Sequence, residues 1–166
     1  MPEKRTIEKA EKDKAEGKSP GTQAGEFVRE EMDHIREGKH GARSAKQAIA
    51  IGLSKARRAG VELKPPTKGK VSEKSRKSAE SAYEKGQKRE PVSRTRSQAR
   101  VKALKKESSA AASHRALARQ AHEAAGKRSA ANRSAAAKKA AQTKGPRKRS
   151  VAAKKAARTR ARSKLS

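Results

Sequence analysis

KQAIAIGLSKARRAG, residues 46–60, sets Ile49, Ile51 and Leu53 within five positions of a chain otherwise dominated by charge and alanine. Ser44 offers an N-cap just ahead of it, and Gln47, three residues on, completes the spacing of a capping box. At 100° per residue Ala45, Ala48, Ile49, Gly52, Leu53, Ala56 and Ala59 share one helical face, and Lys46, Gln47, Ser54, Arg57 and Arg58 the other. Gly60 can end this helix and Pro65-Pro66 forbids its continuation. The small residues Ala48, Gly52 and Ala56 invite close approach by a partner helix, whereas Ile51 points to the polar side.

The partner lies just upstream. From Thr22 the pattern is helical, with Val28, Met32 and Ile35 on one face and Phe27 beside them, until Gly38 and Gly41 close it. The expected fold is therefore all-α: a short helical hairpin over 22–61, carrying long basic extensions that are partly disordered or conditionally helical. Residues 1–21 form a mixed-charge segment, with Glu8 and Lys12 at the favourable i,i+4 spacing. Residues 62–90 hold the Pro-Pro linker and a charged helix capped by Ser72, and residues 91–166 form a Lys/Arg/Ala-rich tail.

Charge follows the same division. Forty-six Lys and Arg against 17 Asp and Glu give +29 over 166 residues. Residues 1–40 hold 9 basic and 10 acidic residues, 41–90 hold 14 and 5, and 91–166 hold 23 and 2. A field this one-sided favours a polyanion, so nucleic acid is the expected partner. A membrane is not expected, because no long apolar run or amphipathic face with bulky anchors is present. The opening MPEKRTIEKAEKDK has no apolar run of the kind a secretory signal needs, and the absence of cysteine excludes disulfides and thiolate metal sites.

The tail repeats itself. SAAAKKAAQTK (134–144) returns as SVAAKKAARTR (150–160), with eight of eleven positions identical and a period of sixteen. Alanine favours helix and like-charge repulsion opposes it, so frayed helix is expected in the free chain. Phosphate neutralisation would fall to Lys105, Lys106, Lys138, Lys139 and Lys144, to the cluster Arg147, Lys148 and Arg149, and to Lys154, Lys155, Arg158, Arg160 and Arg162. In the hairpin Arg43, Lys46, Lys55, Arg57 and Arg58 join them as nucleic-acid contacts. Gln47 is the only good base-reading amide on that face, so contact with phosphate rather than bases is expected.

Glu26, Glu30, Asp33 and Glu37 fall within about a 60° arc of the first helix. With Ile51 they are candidate protein contacts: the acidic stripe could hold a basic tail, and Ile51 could bring two copies together as a homo-oligomer through the hairpin. The bland alternative for the stripe is a solvated face. His34, His40, His114 and His122 lie in no metal-ligand spacing and are expected at the surface, so no metal ligand is assigned.

No nucleotide-binding loop, nucleophile elbow or H-E-x-x-H motif is present, and the large apolar residues Phe27, Val28, Met32, Ile35, Ile49, Leu53, Val61 and Leu63 can hardly enclose a preorganised site. Catalysis and cofactors are not expected.

Two resemblances sharpen this. The stretch GTQAGEFVREEMDHIREGKHGARSAKQAIAIGLSKARRAGV (21–61) resembles the core of a family of small basic bacterial proteins with a domain of unknown function. The tail, SAAAKKAAQTKGPRKRSVAAKKAARTRAR, is similar to the Lys/Ala-rich tails of linker histones and bacterial histone-like proteins. Together they imply a bacterial cytoplasmic, nucleoid setting and sequence-independent DNA binding. RNA or ribosome binding, or a protein-interaction hairpin tethered by its tail, is the alternative.

Overall fold

The computed structural model describes residues 2–163. They form seven α-helices and one 3-10 turn, with no strand among the described residues: α1 (Lys4–Ala15), α2 (Pro20–Arg36), α3 (Ala45–Arg58), α4 (Glu73–Gln87), α5 (Arg94–Leu104), the turn Ser109–Ala112, α6 (His114–Gly126) and α7 (Ala130–Ser163). The chain divides into two units, Met1–Gln120 and Ala121–Ser166.

In the first unit α2 and α3 make the most extensive helix–helix contact, but they do not stand alone: α1 packs on α2, α4 on α3, and the Ser109–Ala112 turn on both α2 and α3. Local chemistry places each boundary. Ser19 caps α2, its Oγ accepting from the Thr22 N–H, and Pro20 takes the first helical position, where a missing N–H costs nothing. At the other end Gly38 adopts φ 74°, a conformation that a Cβ would penalise. The Lys39 N–H then reaches back to the His34 carbonyl at 2.9 Å and the Gly38 N–H to that of Ile35 at 3.2 Å, closing the helix end.

The capping box at α3 is present with a shift. Ser44 Oγ accepts from the Gln47 N–H at 3.2 Å, while Gln47 Oε1 accepts from the N–H of Arg43, one residue before the cap, at 2.7 Å. After Gly60 the Val61 N–H returns to the Ala56 carbonyl at 3.1 Å, and the Val61 side chain joins the cluster that contains Ala56.

Two small apolar clusters flank the α2–α3 seam. Phe27, Ala24, Ala56 and Val61 gather with Ala10 of α1, and Ile7, Leu53 and Leu63 pack around them. Met32, Ile35 and Ala48 gather with Ala42, Ala111 and Ala112, flanked by Val28, Ile49 and Leu117. Phe27, Val28, Met32, Ile35, Ile49, Leu53, Val61 and Leu63 all lie in one of these clusters, whereas Ile51 lies in neither. What the hairpin alone lacks is supplied by α1 and by an alanine lid from the 3-10 turn. That lid is anchored by backbone: the Gly41 N–H donates to the Leu104 carbonyl at 2.9 Å and the Ala42 N–H to that of Ser108 at 3.1 Å. Arg36 Nε donates to the Ala112 carbonyl at 3.2 Å.

Glycine makes the seam possible. A Cβ on Gly52 would stand 2.7 Å from Val28 Cα and 3.0 Å from the Phe27 carbonyl oxygen, whereas one on Gly25 would meet nothing within 4 Å. Gly52→Ala is expected to destabilise the first unit by about 1–3 kcal/mol, as overpacking does. Gly25→Ala, on the exposed side of α2, should stabilise it by about 0.5–1 kcal/mol through helix propensity. Urea unfolding of the two variants checks the pair.

The second unit is helical where frayed extensions were expected. α7 is interrupted at Gly145 (φ 68°, ψ 165°), and Pro146 follows at once. That backbone is essentially confined to glycine, and proline is suited to opening the next helix. The break separates the two copies of the repeat. Each copy carries the same internal bond: Thr143 Oγ1 donates to the Lys139 carbonyl at 2.9 Å, and Thr159 Oγ1 to that of Lys155 at 3.1 Å.

Candidate nucleic-acid interface

The cations divide by surroundings rather than by position in the sequence. Lys138, Lys139, Lys144, Arg147, Lys148, Arg149, Lys154, Lys155, Arg158, Arg160 and Arg162 are all exposed. Residues 121–166 carry 15 Lys and Arg against a single acid, Glu123, which lies outside α7. Lys105 and Lys106 are exposed just after α5. Lys105 lines an open groove with Lys39, His40, Gly41, Glu107 and Ser109.

On α3 the expected contacts separate. Lys46 is exposed, and Arg43, just ahead of the helix, has 80% of its side chain in solvent, within 3.8 Å of Glu107. Two assignments need correction. Arg57 is buried: its Nε donates to the Leu63 carbonyl at 3.0 Å, and burial pushes its pKa below the ordinary value. The α4 backbone also crosses close by, since a Cβ on Gly86 would collide with the Arg57 carbonyl. Lys55 is turned inward as well, with Nζ 2.6 Å from Glu31 Oε2 and 3.6 Å from Glu30 Oε1. The 100° projection put Arg57 on the polar face, but α4 packs against α3 there, and Lys55, which the projection left off both faces, turns toward α2. Arg58 is half-buried, and its Nη1 is a buried atom without a hydrogen bond. Ile51 is half-buried on a helix that packs against α4.

The acidic stripe is occupied from within the chain. Glu30 is buried and its Oε2 accepts from the Glu3 N–H at 3.3 Å. Glu26 lies 3.9 Å from Lys9 of α1 and 3.8 Å from Arg29. Asp33 pairs with Arg36 at 3.3 Å and Glu37 with Lys39 at 2.9 Å. Neither a solvated face nor an open dock describes Glu30, because α1 lies over it.

The histidines also divide. His114 and His122 are exposed as expected, but His34 and His40 retain only 13% and 9% of their side-chain exposure. Glu31, fully buried, brings an oxygen to within 4.8 Å of one ring nitrogen of each. Glu31 and His34 sit three residues apart on one face of α2, a spacing legible in EMDH. His40 is supplied by the loop after α2, and no periodicity in the sequence announces it.

The chain matches no protein-family model, no curated protein and no solved structure. No helix among the described residues is long and apolar enough to cross a membrane.

Proposed function

We propose that the protein binds nucleic acid without regard to sequence, DNA in preference to RNA, by phosphate neutralisation in the manner of a nucleoid-associated histone-like protein. The observation that carries this is α7: two copies of one cationic repeat whose Lys and Arg side chains are exposed, with no acid among residues 124–163. Each cation that meets a phosphate releases condensed counterions, which drives binding that is blind to base sequence. The two aromatic residues of the chain, Phe27 and Tyr83, are buried and half-buried, so no exposed stacking platform for single strands exists. Duplex DNA needs none, and structured RNA, which also needs none, is the alternative ligand. The exposed Arg43 and Lys46 add phosphate contacts from the first unit, while Lys55 and Arg57 keep their structural partners.

The test is competition between two duplexes of equal length and unlike sequence, a structured RNA, and single-stranded DNA. Equal affinity for the duplexes and weaker binding of single strands support the proposal. A preference of more than about tenfold for one duplex sequence would replace phosphate contact with base readout.

The α7 helices are also proposed to be conditional. They bury nothing among the described side chains, so alanine propensity must oppose the repulsion of adjacent lysines and arginines. A peptide of residues 130–163 is expected to gain circular-dichroism helicity on adding duplex DNA at low salt. An unchanged spectrum at saturation would show that neutralisation does not control its folding.

A further inference from the structure

We infer that Glu31, His34 and His40 form a binding site for a divalent transition-metal cation of the Zn²⁺ class, clipping α2 to the loop that leads into α3. Glu31 is wholly buried, and neither carboxylate oxygen accepts a hydrogen bond. Lys55 approaches Oε2 to 2.6 Å but off the hydrogen-bond direction, and Oε1 faces His40 Nε2 at 3.4 Å. A buried carboxylate oxygen aimed at an imidazole nitrogen needs a cation or a proton between them. His40 Nδ1 lies 3.1 Å from the Gly41 carbonyl. That acceptor holds the ring proton on Nδ1 and leaves Nε2 as a lone pair directed toward Glu31.

Two imidazole nitrogens and one carboxylate oxygen are the donor set that suits zinc, cobalt(II) or nickel(II) rather than calcium or magnesium. The outer contacts are those that orient metal ligands: the Gly41 carbonyl behind His40, and Lys55 behind the far oxygen of Glu31. Glu3, whose Oε1 lies 2.8 Å from His34 Nε2, brings a further oxygen to the rim. Ligands on one tetrahedral zinc ion lie about 3.4 Å apart, given metal–nitrogen distances near 2.1 Å. The present separations, all within 4.8 Å, therefore require side-chain rotations rather than movement of α2. The groove lined by Gly38, Lys39, His40 and Gly41 gives the ion a way in.

This site is independent of the phosphate contacts, and its test needs no nucleic acid. The full chain, stripped of nucleic acid and chelated, is titrated with Zn²⁺ against a chromogenic chelator, and with Co²⁺ by visible absorption. One equivalent bound more tightly than about 100 µM, weakened at least tenfold in both Glu31→Gln and His40→Gln, supports the site. The double variant His114→Gln/His122→Gln should bind as the wild type does. Zn²⁺ should also raise the thermal midpoint of the wild type but not of His40→Gln. Wild-type binding weaker than 100 µM overturns the site whatever the variants do. So does binding that survives in His40→Gln, whose circular dichroism reports whether the fold is intact.

Discussion

Raising salt from 50 to 200 mM is expected to weaken binding to duplex DNA by about 10³–10⁵-fold, the loss that follows if six to ten cations meet phosphates. The structure tells where to cut the chain to locate this effect. Deletion from residue 91 would remove Leu104 and Ser108, whose carbonyls hold Gly41 and Ala42, together with the Ala111–Ala112 lid. Deletion from residue 121 removes 15 of the 46 cations and leaves the first unit's clusters whole. The shorter chain should lose most of the salt slope while keeping its helical first unit. Fluorescence anisotropy at four or five salt concentrations measures both slopes, and an unchanged slope would move the phosphate contacts to α3 and α5. Lys46→Ala in the full chain should lower the slope by about one unit, and Arg57→Lys should leave it unchanged.

Lys55→Met should destabilise the first unit by about 3–5 kcal/mol, because it leaves Glu31 charged and fully buried with no cation beside it. Lys46→Met, one helix face away and exposed, should stay within about 0.5 kcal/mol of the wild type. Adding Glu31→Met to Lys55→Met should recover much of the loss, since exchanging a buried ion pair for apolar side chains removes the desolvation cost along with the attraction. Differential scanning calorimetry of the metal-free protein at high salt distinguishes these outcomes. A Lys55→Met variant as stable as Lys46→Met would mean that Glu31 does not depend on Lys55 for its compensation.

The α2–α3 pairing was legible because its signals are strong and local: serine caps, glycine stops, and Phe27 to Leu53 spaced at helical intervals in a chain otherwise poor in large apolar residues. The rest of the first unit was hidden by weak chemistry. Ala10, Ala111 and Ala112 are core residues, yet alanine inside charged or serine-rich runs resembles low-complexity filler, and only tertiary contact shows which alanines are covered. Glu30, Glu31 and Arg57 escaped for the opposite reason. A helical projection assigns charged residues to solvent, and it cannot know that α1 lies over Glu30 or that α4 approaches Arg57. His40 needed the loop geometry after Gly38, which no periodic pattern encodes. The cations of the tail were the most readable because a run this poor in large apolar residues leaves them exposed.

The bond from Gly41 to Leu104 joins positions 63 residues apart. Chain growth of about 5–20 residues per second puts roughly 3–13 s between the synthesis of its two ends. During that interval the residues that cover the Met32 and Ile35 end of α2 have not all been made. The surface that waits is small, since what later covers it is Ala111 and Ala112 with a single leucine, Leu117, at the edge. A lid of leucines would have demanded a larger greasy socket, exposed for the same seconds beside a ribosome crowded with other unfinished chains. Building the closure from alanine and backbone hydrogen bonds keeps the half-made protein from becoming sticky.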